Sequence, residues 1–152
     1  MKLCSACLLG LECRYDGKSN LENASEQLLQ EFRDGAIIPI CPEQLGGLPT
    51  PRSGSRIYSG DGNDVLDGKS KLITDDGQDV TQQYIRGAYE ALKIAQELGI
   101  KEAILKQKSP SCGCGYTYGG STKRILIEGD GVTTALFKRN GISVKTEKYV
   151  AC

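Results

Sequence analysis

The sequence predicts an α/β fold built on a small, mostly parallel sheet with helices on its faces. Two short apolar runs, at 2–8 and 36–42, have the length of buried strands, the second of them covered on both faces, and residues 101–107 form a third predicted strand. Amphipathic stretches separate these runs, so strand and helix patterns alternate along the chain. Such alternation implies parallel pairing of the strands through right-handed crossovers.

The first strand and the first helix have clear boundaries. Run 2–8 predicts the strand, and a turn at Asp16-Gly17 follows it. Apolar residues then recur at three- and four-residue steps, which predicts a helix from about 20 to 33. Gly35 suits the left-handed residue that ends many helices.

The second strand is expected at an edge of the sheet. Within run 36–42, Pro39 has no backbone N–H, so one side of this strand should lack a pairing partner. Residues 43–80 are rich in Gly, Ser, Asp and Pro and predict a long loop with one small hairpin, and loops of this length are usually functional.

The longest helix follows this loop. Asp79 can cap it together with Gln82, and its apolar face continues to Gly99. The third strand, 101–107, comes next, and a Gly- and Ser-rich turn spans 109–121.

The last elements complete the alternation. Residues 124–128 predict a short extended piece, and a helix after Asp130 is closed by Asn140-Gly141. Residues 142–144 form the last predicted strand. We therefore expect residues 1–152 to fold as a single three-layer domain of Rossmann-like or flavodoxin-like type, because 152 residues suit one domain.

Composition excludes several classes of protein. Hydrophobic residues make up 39% and charged residues 25%, as in ordinary globular proteins. No apolar run approaches the roughly 20 residues of a membrane helix, and the start of the chain does not resemble a signal peptide, so a cytoplasmic location is expected. Lys plus Arg equals Asp plus Glu at 19 each, which makes nucleic acid an unexpected partner. Histidine is absent, which excludes His-based triads and the commonest zinc ligand.

Three of the seven cysteines are expected to meet at one edge of the sheet. Without an export signal, the thiols are expected to be reduced rather than to form a disulfide framework. Cys7 ends the first strand, Cys41 ends the second, and Cys112 lies in the loop after the third. Ligands of open α/β sheets bind beyond the carboxyl ends of the strands. This position makes Cys7, Cys41 and Cys112 the candidate ligands of a metal or a cluster.

The other four cysteines are weaker candidates for ligands of a metal or a cluster. Cys4 lies within a strand and is expected in the core, and Cys152 is expected to be incidental. Cys114 could be a spare ligand. Cys13 could be a fourth ligand, a resolving thiol or a residue without a role, and the last is favoured. Both Cys13 and Cys114 are expected farther from the centre of the site than the three candidate ligands.

A thiol-only donor set favours an iron–sulfur cluster. The Cys4-Ser5-Ala6-Cys7 pair lies in an apolar strand rather than at a helix N-terminus, which is the wrong context for a thioredoxin-like motif. Zinc held by the three thiols and a fourth remains an alternative. Thiolates are the usual protein ligands of iron–sulfur clusters, and three of them on a four-iron cluster would leave one iron open to a substrate atom.

Nine motifs spread over nearly the whole chain carry a resemblance to a known family. They are, in chain order, Ser5-Ala6-Cys7-Leu8-Leu9-Gly10, Cys13-Arg14-Tyr15-Asp16-Gly17, Cys41-Pro42-Glu43, Gly46-Gly47-Leu48, Pro51-Arg52, Gly77-Gln78-Asp79-Val80-Thr81, Gly87-Ala88, Ile104-Leu105-Lys106 and Ser109-Pro110-Ser111-Cys112-Gly113. In this order they resemble the thiouracil desulfurase family, which was once known only as a domain of unknown function.

The resemblance implies an enzyme, a cofactor and a substrate. The enzyme would be a desulfurase with an oxygen-sensitive [4Fe-4S] cluster, which is expected to be lost in aerobic preparations. The free iron would accept sulfur from a thiolated pyrimidine such as 2-thiouracil without net redox change. Carried over by motif, the cluster ligands are Cys7, Cys41 and Cys112. Glu43 and a serine, Ser109 or Ser111, would assist proton transfer.

Two loops depart from the family pattern, and two other functions stay open. Pro51-Arg52-Ser53-Gly54-Ser55-Arg56 stands where members commonly have Pro-Arg-x-Pro-x-Glu, and Tyr118-Gly119-Gly120-Ser121-Thr122 stands where they have a Tyr-Asp-Gly-x-Phe type of stretch. Both loops are expected to border the pocket. The alternatives are a module that binds a cluster without catalysis and an enzyme that transfers sulfur to tRNA.

Overall fold

The computed structural model describes all residues, 1–152, and contains two four-stranded sheets. The strands are β1 (Lys2–Ser5), β2 (Ile37–Ile40), β3 (Ser55–Ile57), β4 (Leu72–Thr74), β5 (Glu102–Leu105), β6 (Tyr116–Gly119), β7 (Ile125–Glu128) and β8 (Ser143–Thr146). The α-helices are α1 (Glu26–Arg33), α2 (Pro42–Leu45), α3 (Gly62–Leu66), α4 (Thr81–Glu97) and α5 (Val132–Arg139). No helix is long and apolar enough to cross a membrane.

The first sheet confirms the predicted α/β class. Its order is β2-β1-β5-β8, and all its pairs are parallel. Numbered along the chain, these four strands have the order 2-1-3-4, which begins the flavodoxin-like pattern. Strand order reverses between β1 and β5, where Cys4 pairs with Ile104. This switch point is where such sheets open a crevice for ligands.

The two faces of this sheet bury separate apolar clusters. Along β1, Leu3 belongs to the larger cluster, which α4 and α5 cover, and Cys4 belongs to the smaller one with Leu28 of α1. Successive side chains of a strand point to opposite faces, so one short strand serves both clusters. Helices therefore lie on both sides of the sheet, as the three-layer prediction requires. Cys4 is fully buried, as expected.

Two predicted boundaries in the first part of the chain are wrong. β1 ends at Ser5, and a 3₁₀ helix over Ala6–Leu9 follows it. The helix expected over 20–33 begins only at Glu26, because the side chain of Ser25 caps it by accepting a hydrogen bond from the Leu28 N–H at 3.1 Å. The edge position of β2, inferred from Pro39, is confirmed.

Three strands of the second sheet lie in segments that were predicted to be mostly loop, and the fourth, β7, confirms the extended piece predicted over 124–128. Its order is β4-β3-β6-β7, in which β3 pairs antiparallel with β4 and parallel with β6. Segment 43–80 contains β3, α3 and β4, and segment 109–121 contains β6. These strands are three or four residues long, too short to show an alternating pattern in the sequence.

Helix α2 follows β2 directly and packs closely on α4. A Cβ atom built on Gly87 would lie 1.8 Å from the carbonyl oxygen of Pro42, and one on Gly46 would lie 1.9 Å from that of Gln83. Only glycine permits this approach of two backbones. The contact fixes the start of α2, and therefore Cys41 and Glu43, against the longest helix of the protein.

Candidate active site: a thiol-lined cavity

A cavity of about 450 Å³ lies beyond the carboxyl ends of β1, β2 and β5. Its wall includes four thiols, those of Cys7, Cys13, Cys41 and Cys112. Segment 52–55 and residues of the 109–121 segment border it, as predicted for the two loops. The cavity therefore occupies the switch point of the sheet, where the strand-end argument places a ligand.

Each of the three predicted ligand thiols is placed at this cavity by a different local structure. Cys7 lies in the 3₁₀ helix after β1, and Cys41 is the N-cap residue of α2 directly after β2. Cys112 lies in the turn after β5, where the Ser109 hydroxyl oxygen accepts a hydrogen bond from its backbone N–H at 3.1 Å. Cys112 is buried, whereas Cys7 and Cys41 are partly exposed to the cavity.

Cys13, expected farther from the centre of the site than the three candidate ligands, lines the same cavity as they do. Its side chain contacts the thiols of both Cys7 and Cys41, and Cys41 Sγ lies 3.9 Å from the Cys13 carbonyl oxygen. Loop 11–20 folds back over the ends of β1 and β2 because Arg52 Nη2 donates to the same carbonyl oxygen at 2.9 Å. Sequence separation alone does not reveal this contact.

Cys114 lies outside the cavity, as expected, but it is not a spare thiol. It forms a disulfide with Cys152, and the two Cα atoms are 5.6 Å apart. The expectation that Cys152 is incidental is therefore wrong, and two of the thiols expected to be reduced form one disulfide, although the cysteines do not form a disulfide framework. The remaining five cysteines are free.

Hydrogen bonds from neighbouring groups favour the thiolate form of the two exposed thiols. The Cys13 thiol lowers the pKa of Cys7 to about 7, against the effect of burial, and the Asn20 side chain contributes by donating to Cys7 Sγ at 3.2 Å. Cys13 likewise lowers the pKa of Cys41. Burial raises the pKa of Cys112, to which the Ser5 hydroxyl is hydrogen-bonded.

Glu43 faces the cavity from the first turn of α2 and is held there by two other side chains. Arg52 donates to Glu43 Oε2 from Nε at 3.0 Å and from Nη2 at 2.6 Å, and the Tyr84 hydroxyl donates to the same oxygen at 3.4 Å. All three contacts reach Oε2, so Oε1 is available to a ligand. The arginine is held in turn by the Pro49 carbonyl oxygen at 3.2 Å.

The two candidate serines occupy different places. Ser109 lines the cavity, and its hydroxyl oxygen accepts from the Ser111 N–H at 3.1 Å as well as from that of Cys112. Ser111 does not line the cavity: it is buried and its hydroxyl bonds to that of Thr133 at 2.8 Å. The prediction that both serines point into the cavity is therefore wrong for Ser111.

Aromatic and cationic side chains form the mouth of the cavity. The guanidinium of Arg124 lies 5.5 Å from the ring centre of Tyr15 and 5.2 Å from that of Tyr118. All three residues line the cavity. A flat, π-electron-rich wall of this kind can stack against a planar ring.

Sequence reasoning missed three residues of this site. Arg52 stands in one of the matched motifs, which is the signal that could have marked it. Tyr84 was interpreted as part of the apolar face of α4, and its hydroxyl group was the overlooked feature. Asn20 carried no sequence signal, because its contact with Cys7 depends on the path of loop 11–20.

The fold and the cavity define a doubly wound α/β protein with a thiol-lined site at its topological switch point. The chain belongs to the 2-thiouracil desulfurase family, whose model matches residues 3–149. It is similar to the uncharacterized protein YbbK of Bacillus subtilis (strain 168), with 44% identity over 147 residues, 97% of this chain and 95% of that protein. It is also similar to the solved structure of TudS, a [4Fe-4S]-dependent thiouracil desulfidase, with a TM-score of 0.85 and 40% identity over 97% of this chain and 90% of that one.

Proposed function

We propose that this protein replaces the sulfur of a thiolated pyrimidine, such as 2-thiouracil, by oxygen, with a [4Fe-4S] cluster as its cofactor. The observation that carries the proposal is that Cys7, Cys41 and Cys112 line one cavity beside Glu43. The family of the chain and its similarity to TudS, a [4Fe-4S]-dependent thiouracil desulfidase, support the substrate class and the cofactor. In the net reaction, water supplies the oxygen and sulfide leaves, so no electrons are gained or lost.

The donor set of the cavity fits this cofactor. Thiolates are the usual ligands of [4Fe-4S] clusters, and the structure offers no group of three His, Cys, Asp or Glu side chains arranged around a single metal ion. We propose Cys7, Cys41 and Cys112 as the three ligands, one from the end of each of three neighbouring strands. The bound cluster would supply an iron atom with an open position that acts as a Lewis acid toward the sulfur of the substrate.

Glu43 is the proposed general base. Arg52 and Tyr84 hold Oε2, which orients the carboxylate of this cavity-lining residue and leaves Oε1 without a hydrogen-bond partner. Oε1 can accept a proton from the water that attacks the carbon bearing the sulfur. The fixed orientation matters because a base must lie within hydrogen-bond distance of the proton it removes.

Ser109 is the proposed hydrogen-bond donor to the ring or to the attacking water. Its hydroxyl oxygen already accepts two backbone hydrogen bonds, which fixes its position, and its own proton is still available to a ligand. Ser111 takes no direct part in this proposal because its hydroxyl faces Thr133. Its backbone N–H contributes by fixing Ser109.

The cavity suits a single planar ring. Pockets for small ligands usually have volumes of roughly 300–1,000 Å³, and this one has about 450 Å³. Tyr15, Tyr118 and Arg124 at its mouth offer a stacking surface, and the thiols lie deeper in the cavity. A ring stacked at the mouth would therefore present one edge toward the thiols and Glu43.

Anaerobic reconstitution tests the proposed function. The protein is loaded with iron and sulfide, incubated with 2-thiouracil, and assayed for uracil and sulfide in equal amounts. Glu43→Gln should keep the cluster absorbance and lose roughly 10²–10⁴-fold in turnover, the usual contribution of a general base. Glu12→Gln, at an exposed position of the neighbouring loop, is the matched control and should be fully active.

Two results would refute the proposal. A protein that binds a cluster but releases no sulfide from 2-thiouracil would be a binding module. Full turnover by the Glu43→Gln variant would exclude this residue as the base.

A further inference from the structure

Cys13 is the thiol of the cavity that the proposed function does not use. It is 5% exposed, and its side chain contacts Cys41 and Cys7. Its backbone is fixed too, since its carbonyl oxygen accepts from Arg52 Nη2 at 2.9 Å and lies 3.9 Å from Cys41 Sγ. A buried free cysteine is usually a small apolar residue of the core. Cys13 instead belongs to neither apolar cluster and faces two thiols.

We propose that Cys13 is a resolving thiol, which captures oxidised Cys41 as a reversible Cys13–Cys41 disulfide whenever the cofactor is absent. The contacts of the four thiols indicate that Cys41, rather than Cys7 or Cys112, is the partner of Cys13. The Cys41 thiol contacts both the thiol and the carbonyl oxygen of Cys13, whereas Cys7 Sγ has a separate partner in the Asn20 amide. Cys112 is hydrogen-bonded to Ser5 and is buried.

Exposure decides which thiol meets an oxidant first. Cys41 is partly exposed to the cavity, and Cys13 behind it is buried. Hydrogen peroxide that enters the cavity therefore reaches Cys41 before Cys13. An exposed thiol with a second thiol beside it is the usual arrangement of a reversible redox site. Because the Cys13 backbone is held by Arg52, rotation of the two side chains about their Cα–Cβ bonds is the movement that brings the sulfur atoms into bonding distance.

The chemistry balances with one equivalent of peroxide. The Cys41 thiolate attacks one oxygen of the peroxide, the O–O bond breaks, and a sulfenic acid and hydroxide form. The Cys13 sulfur then attacks the Cys41 sulfur, the S–O bond breaks, and water leaves. In sum, two thiols and one peroxide give one disulfide and two waters. A dithiol such as dithiothreitol returns both thiols by exchange and becomes a cyclic disulfide.

Removal of Cys13 should leave the first oxidation of Cys41 to sulfenic acid unchanged. It should change the product that forms from this sulfenic acid. Without a neighbouring thiol, the sulfenic acid of Cys41 reacts with a second peroxide to give sulfinic acid, which dithiothreitol does not reduce. A sulfinic acid is no longer a thiolate ligand. Cys13 would thus preserve the ability of the empty site to be loaded again.

The test uses the full chain, freed of metal and reduced under argon. The protein is treated with hydrogen peroxide, free thiols are blocked with N-ethylmaleimide, and peptides are mapped by mass spectrometry. We expect a disulfide between the peptides that contain Cys13 and Cys41, in addition to the one between Cys114 and Cys152. Dithiothreitol followed by iron and sulfide should then restore the iron content of untreated protein.

The Cys13→Ser variant should bind as much iron as the wild type before oxidation. After peroxide and dithiothreitol, its Cys41 should carry a sulfinic acid, and its iron content should fall by about half or more. Cys4→Ala is the control, since it removes a buried free thiol that does not line the cavity, and it should recover as the wild type does. These measurements do not depend on desulfuration, so they can fail or succeed independently of the proposed function.

Three results would overturn the proposal. A wild-type map that shows a Cys7–Cys41 bridge, or no bridge in the cavity, excludes Cys13 as the resolving thiol even if no variant can be made. Equal recovery of iron by the Cys13→Ser variant removes the protective role. Low iron binding by this variant before oxidation would indicate that Cys13 is a ligand of the iron rather than a resolving thiol.

Discussion

The guanidinium of Arg52 joins the Glu43 carboxylate to the backbone of Cys13. Its Nη2 atom donates to Glu43 Oε2 at 2.6 Å and to the Cys13 carbonyl oxygen at 2.9 Å. Both side chains of this ion pair are largely buried, with 7% of Arg52 and 14% of Glu43 exposed. One residue therefore positions both the proposed base and the loop that carries a fourth thiol.

Arg52→Lys should lower turnover while the cluster still binds. A lysine keeps the charge but cannot donate to Glu43 through two nitrogens and also reach the Cys13 carbonyl oxygen. Hydrogen bonds to charged groups contribute about 1.5–3 kcal/mol, so we expect kcat to fall roughly 10- to 100-fold. Steady-state kinetics of the reconstituted variant measure this. Arg33→Lys, in an exposed ion pair on α1, should have no effect, and equal rates for the two variants would contradict the positioning role.

Asn20→Leu should shift the potential of the bound cluster to a more negative value. The Asn20 amide donates to Cys7 Sγ at 3.2 Å and is itself held by Arg14 at 3.1 Å. Hydrogen bonds to the sulfur atoms of a cluster stabilise its more negative, reduced state, so their loss disfavours reduction. Redox titration followed by EPR measures the shift. Asn23→Leu is the control at an exposed position three residues away, and a common shift in both variants would disprove the assignment.

Gly87→Ala should destabilise the protein, although alanine normally favours a helix. In an open helical position this change stabilises by up to about 1 kcal/mol. Here a Cβ would lie 1.8 Å from the Pro42 carbonyl oxygen, so α2 must move away from α4. Overpacking of this kind costs roughly 1–3 kcal/mol. Urea unfolding measures the change, and Glu90→Ala, at an exposed position of the same helix, should leave the free energy of unfolding nearly unchanged or raise it.

Asp79 should make a pH-dependent contribution to stability. The Thr81 hydroxyl and backbone N–H donate to Asp79 Oδ1 at 2.6 and 2.9 Å, and these bonds lower the pKa of Asp79. Because the folded-state pKa lies below the unfolded one, the ionised carboxylate stabilises the fold above the unfolded pKa. This stabilisation is lost as pH falls through the folded pKa.

The Asp79→Asn variant isolates that contribution. It should be less stable than the wild type at pH 7 by roughly a few tenths of a kcal/mol, since solvent screens an exposed charge at a helix start. The difference should shrink as the pH falls from the unfolded pKa, about 3.9, through the lower folded pKa. Denaturant titrations over this pH range provide the measurement. Glu22→Gln, an exposed carboxylate, should show no such trend, and a constant deficit of Asp79→Asn would count against the ionic contribution.

The parallel sheet could be predicted from the sequence because its strands carry local signals. Runs 2–8 and 36–42 are mostly apolar, which indicates buried strands, and segment 101–107 has an apolar centre, Ala103-Ile104-Leu105, between polar ends. They correspond to β1, β2 and β5, and Pro39 correctly placed β2 at the edge. With the strands known, the rule that ligands bind at their carboxyl ends was enough to place three thiols at one cavity.

The remaining features depend on contacts between distant parts of the chain. Strand β3 pairs with β6 through Ile57 and Gly119, and no local sequence pattern predicts this pairing. Cys13 reaches Cys41 because Arg52 holds its loop, and Ser111 turns away because Thr133 offers it a partner. Each of these outcomes is decided by a partner more than 20 positions away, whereas periodicity is a property of neighbouring residues.

The strand order β2-β1-β5-β8 also has a consequence for biosynthesis. Cys7 and Cys41 leave the ribosome early, but Cys112 follows β5, which must insert next to β1 before the site can close. A nascent or stalled chain that ends before β5 therefore presents two thiols without a pocket. Loading of the proposed cluster on all three thiols would therefore have to follow the emergence of β5 and the turn after it.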